Sequence, residues 1–176
     1  SAQCLSVRAA TQDVLLAGMA QLDNGAVLAF PPLSVDGQAG FDPFVLRADP
    51  AGTPASLVSF DAAGSQITRA VASGPGGRDA VAGNYGGSGF GMGSASLPAT
   101  AATSAFVIVF DSAGVAEWGR SFTSGAITDI NDVAFFANGD LAVVGSTNGS
   151  GANIPGEAGW PGDVFIARLA ALNGAD

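Results

Sequence analysis

The 176-residue chain contains no lysine, no histidine and a single cysteine, Cys4. Without histidine or lysine the commonest general bases and amine nucleophiles are missing. A carboxylate pair, as in glycoside cleavage, remains conceivable, but no spacing marks one out. One cysteine excludes an internal disulfide and a multi-cysteine metal site. Cys4 reads as a small apolar packing residue, or as one that pairs with a segment outside the chain. Charge is scarce, at 12% of residues, and one-sided: the six cations are arginines at 8, 47, 69, 78, 120 and 168, and the formal charge is −9. Nucleic acid and anionic membrane surfaces would both be approached against like charge, which leaves cations and neutral polymers open. No apolar run reaches the roughly 18 residues that a spanning helix needs. The chain also opens without a basic and apolar leader pattern, so any signal peptide is expected to have been removed or to lie elsewhere.

What the chain does have is glycine, 26 residues of it, and 48% hydrophobic residues, mostly small or β-branched. Such a composition buries a core of sheets. Three stretches repeat: Phe44-Val-Leu-Arg-Ala-Asp-Pro-Ala-Gly52, Phe106-Val-Ile-Val-Phe-Asp-Ser-Ala-Gly114, and Phe165-Ile-Ala-Arg-Leu169 running on to Asn173-Gly174. The phenylalanines stand 106 − 44 = 62 and 165 − 106 = 59 residues apart, an internal repeat with units 1–62, 63–125 and 126–176. Each unit reads as four short strands. The first strands are 5–11, 67–73 and 130–137, and tight turns lead to second strands at 13–18, 79–83 and 140–145. Long loops follow, then the phenylalanine-led third strands, and fourth strands at 55–60 and 115–122. Asn138-Gly139 and Gly76-Gly77 supply the positive φ of a close hairpin. Asp13, Asp79 and Asp140 recur at the start of the second strand and are expected to cap turn N–H groups.

Four antiparallel strands at a fixed period predict an all-β chain of propeller blades, about three of them. Phe106 to Gly114, Trp118, and Ile130-Asn-Asp-Val-Ala-Phe-Phe-Ala-Asn-Gly-Asp-Leu-Ala-Val-Val-Gly-Ser-Thr147 resemble the bacterial SBBP-type β-propeller repeat. The resemblance is good over 105–170 and looser over 1–104. It departs where the family has paired glycines after the fourth strand and this chain has Ser121-Phe-Thr-Ser-Gly125. The resemblance implies a secreted or cell-surface bacterial location and a propeller shape, with no shared catalytic residues. Propellers close with about four to eight blades, so three blades, the last lacking its outer strand, imply the C-terminal half of a larger propeller, a protomer that assembles with copies or partners, or a non-closing stack of three sheets. The third strand at Phe165, Ile166 and Arg168 is the expected assembly edge.

Alternating strand directions place the loops 19–43, 84–105 and 146–162 on one face. They carry Asp36, Asp42, Glu157 and Asp163 beside Tyr85, Phe90 and Trp160, a combination suited to stacking on and hydrogen bonding a sugar. The same residues also suit a plainer role, with aromatics such as Phe30 packing the loops and acids solvating the surface. Asp129 and Asp132 are weak Ca²⁺ candidates, for Asp129-Ile-Asn-Asp132 lacks the calcium-loop pattern. Gly86-Gly-Ser-Gly-Phe-Gly-Met-Gly93 precedes no helix pattern and is no phosphate loop. No cofactor is expected beyond that possible Ca²⁺. The expected function is a non-enzymatic scaffold or protein-interaction module in an extracellular or surface assembly, with adhesion as one setting. The alternatives are a glycan-binding propeller and part of an enzyme whose site other chains complete. Val7, Val14, Leu16, Val45, Val71, Val81, Val107, Val133, Val143 and Ile166 are the expected core.

Overall fold

The computed structural model describes residues 2–7, 11–22, 25–36, 40–60, 64–92, 94–123, 127–148 and 163–171. Runs of alternating small and β-branched residues between turn signals give strands, in the order β1 (Ala2–Val7), β2 (Val14–Leu22), β3 (Val27–Phe30), β4 (Leu33–Asp36), β5 (Gly40–Ala48) and β6 (Pro54–Ser59). Next come β7 (Gly64–Ser73), β8 (Asp79–Gly87), β9 (Phe90–Met92), β10 (Ala95–Leu97), β11 (Thr100–Phe110) and β12 (Ala116–Phe122), and finally β13 (Thr128–Phe135), β14 (Leu141–Thr147) and β15 (Asp163–Leu169). Among the described residues the only helical element is a single 3₁₀ turn, Pro75–Gly77. The chain is all-β, as expected.

Three antiparallel sheets form, in the orders β1-β2-β5-β6, β7-β8-β11-β12 and β13-β14-β15. Among the described residues no strand pairs with the second side of β15. Two hairpins, β3–β4 and β9–β10, occupy stretches expected to be loops. Strands of four and three residues are too short for their period to show in sequence.

The sheets stack first on second on third. Leu15, Ala17 and Val45 of the first meet Val71, Val81, Phe106 and Ile108 of the second. The opposite side of the second sheet, with Ala82, Val107 and Val109, meets Val133, Leu141, Val143 and Phe165 of the third. The first strands of the three sheets run beside one another, with β7 touching both β1 and β13. Polar bonds stitch the same joints: Thr68 Oγ1 donates to Gly18 O at 3.1 Å, and Asn84 Nδ2 donates to Thr128 O at 2.8 Å.

Each first strand carries one bulge, at Gln3, Arg69 and Asn131. The residue just before it lies opposite Gly18, Gly83 or Gly145. A Cβ on Gly83 would run into the Ile67 carbonyl, and one on Gly145 into the Asp129 carbonyl and the Phe165 ring. Close backbone approach at a bulge is why glycine recurs there.

Of the expected core, Val45, Val71, Val81, Val107, Val133 and Val143 are buried. Val7 and Ile166 are corrected: they are 53% and 74% exposed. Val14 and Leu16 are half-buried. These four side chains lie one step out from the inward positions of their strands, on the outward faces of the end sheets, where only the β3–β4 hairpin packs, over Leu16.

Candidate interaction surface

Turn chemistry builds one rim of the stack. Asp49 and Asp111 cap their own turns identically: Asp49 Oδ1 accepts from Ala51 N and Thr53 N at 2.9 and 2.8 Å, and Asp111 Oδ1 from Ala113 N and Val115 N at the same distances. Gly52 and Gly114, at φ 84° and 83°, close those turns. The N–H of Thr53 in particular holds the Asp49 carboxyl below its ordinary value of 3.8.

Arginines then cross from sheet to sheet along this rim. Arg47, on β5, donates through Nε to Asp79 of the second sheet, through Nη1 to Ser112 O at 2.8 Å and through Nη2 to Asp111 O at 2.7 Å. The pair is largely dry, with side chains 13% and 1% exposed. Arg78 of the second sheet donates to Ala171 O beyond β15 at 2.6 Å and pairs with Glu117 on β12.

The ladders correct the aspartate alignment. Asp79 pairs with Phe110 and Leu141 with Leu169, so these two share a position. The residues one step earlier are Asp13, Arg78 and Asp140, so Asp79 is not the counterpart of the other two aspartates. The second unit's turn, 74–78, has the same five-residue length as the third's, 136–140, but carries Arg78 where the third has Asp140, and its aspartate follows one residue later. Asp140 accepts from Asn138 Nδ2 at 2.9 Å, from Arg168 Nε at 2.8 Å and from Ala171 N at 3.1 Å. The Asn138 amide first, then Arg168, hold its carboxyl below 3.8.

The sequence-derived ligand residues are not gathered into one site. Asp36 ends β4 at the surface, whereas Asp42 is buried on β5 opposite Ala20. Tyr85 lies in the core on β8, not on a loop; its hydroxyl donates to Pro98 O at 3.0 Å, and burial pushes its pKa up, with a bond to Ser121 acting the other way. Phe90 opens β9 and Asp163 opens β15 opposite Thr147, their side chains lying outside the described residues. Glu157 and Trp160 also fall outside the described residues. Asp129 and Asp132 line different clefts, and Asp129 shares its cleft, of about 280 Å³, with Asn131, Ser146 and the Arg69 guanidinium, which opposes a cation. Among the described residues no three acidic, cysteine or histidine side chains cluster as metal ligands.

The two outward faces differ. On the first sheet, the β3–β4 hairpin lays Leu28 and Phe30 over Leu16, Phe44, Leu46 and Leu57. The Phe30 and Phe44 rings stand 5.4 Å apart, the packing role allowed for Phe30. On the third sheet, Val144 and Ile166 line an open groove of about 110 Å³ with Asp132 and Ala134, and Val164 beside them is 65% exposed. Of the expected assembly edge, Ile166 and Arg168 are on this face, while Phe165 points into the stack and is buried.

No family model matches the chain, and no curated protein matches it. No helix among the described residues is long and apolar enough to cross a membrane.

Proposed function

We propose that the chain is a non-enzymatic segment of a β-propeller, its three sheets serving as blades, and that it works as a scaffold or protein-interaction module in a secreted or cell-surface bacterial assembly. The observation that carries this reading is the apolar outward face of the third sheet, continuous with the edge of β15, which is unpaired among the described residues. Exposed Val164 and Ile166 with half-buried Val144, beside a β15 edge that no described strand pairs, make a surface that gains from being covered. The stacking of sheets through their first strands, and the likeness of Phe106 to Thr147 to a secreted propeller repeat, support the location and shape.

The test is photo-cross-linking in the organism that produces the protein. A photoreactive residue at Val164 is expected to give a discrete adduct, identified by its peptides, that the same residue at exposed Ala55 does not give. Absence of any adduct above that control would overturn the interaction reading.

A second reading, glycan binding, is favoured by the cleft of Arg69, Asp129, Asn131 and Ser146. Its guanidinium, carboxylate, amide and hydroxyl can all bond sugar hydroxyls. A glycan array with the isolated chain separates the two readings.

A further inference from the structure

The open face of the third sheet has two counterparts inside the molecule, and both are already covered. Let the near face of a sheet be the one turned toward the preceding sheet, and the far face the one turned toward the next. The ladders set Leu15, Ala17, Val45 and Arg47 of the first sheet in register with Ala80, Ala82, Val107 and Val109 of the second. They set the same positions in register with Ala142, Val144, Ile166 and Arg168 of the third. The first two sets are far faces buried under the near face of the following sheet. The third is the same far face, and among the described residues no sheet stacks on it.

One position on that face is matched across each joint. Arg47 meets Asp79, whereas at the next joint Val109 and Leu141, which occupy the same two positions, lie in one apolar cluster. Charge faces charge in one joint and hydrocarbon faces hydrocarbon in the other. The exchanged combinations would leave a buried charge without a partner, which costs several kcal/mol. Arg168 occupies the Arg47 position. It rests on Asp140 of its own sheet and over the Phe136 ring at 4.8 Å, with its side chain 62% exposed. A second copy of the chain does not supply the match. Its second and third near faces are buried within it, and its first offers Val14 at this position, beneath a face that the β3–β4 hairpin covers.

Resting on the interaction reading above, we propose that the third sheet is docked by a further antiparallel sheet of this pattern. Its near face would present apolar residues at the positions of Val81 and Phe106 and a carboxylate at the position of Asp79, and Arg168 selects it through that carboxylate. The β3–β4 hairpin packs over Leu16, Phe44, Leu46 and Leu57 on the outward face of the first sheet, which leaves the third sheet's far face as the docking face of this inference.

The test extends the full chain through a flexible linker with a second copy of residues 64–123, in a Cys4→Ser background carrying Val164→Cys. The ladder counterpart of Val164 is Ala105, which is fully buried at the existing joint. Thiol labelling at residue 164 is expected to slow at least tenfold in the extended chain. Replacing the appended copy's counterpart of Asp79 by Leu should return most of the labelling. Arg168→Leu combined with that change should restore protection, by recreating the Val109–Leu141 kind of match.

Labelling unchanged by the extension overturns the proposal. So does an appended unit that adds no strand signal in far-UV circular dichroism, because docking is what would fold it. Protection that ignores the carboxylate removes Arg168 as selector. Protection already present in the unextended chain and rising with concentration makes a second copy the occupant. An unprotected thiol alongside a cross-linked adduct on the native protein would sink this inference and leave the interaction reading standing.

Discussion

The first and third sheets present outward faces of opposite fate. The first turns Leu16, Phe44 and Leu46 outward and draws its own β3–β4 hairpin over them. The third turns Val144, Val164 and Ile166 outward, with Val164 and Ile166 exposed and Val144 half-buried. Both faces come from the same alternation of side chains along a strand. A sheet therefore does not decide by its own pattern whether a face is core or surface; in the first sheet the hairpin inserted between its second and third strands does.

The sharpest break of this contrast is expected from aromatic truncation. Phe44→Ala should destabilise the chain by about 3–5 kcal/mol, as for other buried phenylalanines, while Ile166→Ala should stay within about 0.5 kcal/mol. Denaturant midpoints of the two variants measure the difference, and an equal loss would mean that the third sheet's face is covered in the isolated chain.

The arginines repeat the contrast. Arg47→Ala leaves the buried Asp79 carboxylate without its guanidinium and should cost about 3 kcal/mol. Arg168→Ala, at a site that is mostly exposed, should cost less than about 1 kcal/mol. Thermal unfolding at low and high salt checks both, with only the Arg168 effect fading at high salt.

Between the end sheets, Val107→Ala and Val143→Ala should each cost about 1–3 kcal/mol, for both side chains lie in the joint between the second and third sheets. A loss below that range at either would show that the joint is loose.

The smallest effect is one of pH. Asp49 and Asp140 titrate below their ordinary 3.8 in the folded chain. The unfolded chain therefore binds protons first as pH falls. The stability these groups contribute is complete above about pH 4 to 5 and is lost as pH drops through their folded values. Asn138→Ala should raise the Asp140 midpoint toward 3.8 in a carboxyl NMR titration and leave Asp49 unmoved. A shift of both would mean that the turns are coupled.

Much of the fold was legible. The spaced phenylalanines at 44, 106 and 165 marked the third strands, and the glycines at 18, 83 and 145 marked the second, because a chain that alternates at period two between turn residues has few other solutions. The hairpins at 27–36 and 90–97 were not legible, since three or four residues carry no period. The bulges at Gln3, Arg69 and Asn131 were hidden as well, for a bulge is defined by the partner strand. Asp79 was aligned one step out because the second unit carries Arg78 where the third has Asp140 and an aspartate one residue later, and only the partner strand shows which of two neighbours holds the position. Tyr85 was placed on a loop because sequence gave no sign that β8 runs on to Gly87.

By itself the sequence determined which side chains share a face, since strand geometry sends alternate residues to opposite sides whatever lies around them. It also determined the turns, where Asp49 and Asp111 bond backbone groups only two and four residues away. The tertiary structure alone decided which faces are buried, which arginine meets which carboxylate, and that the candidate ligand residues do not converge. These depend on contacts between residues far apart in the chain, such as Arg47 with Asp79 and Phe30 with Phe44, and a local pattern carries no record of what will be packed against it.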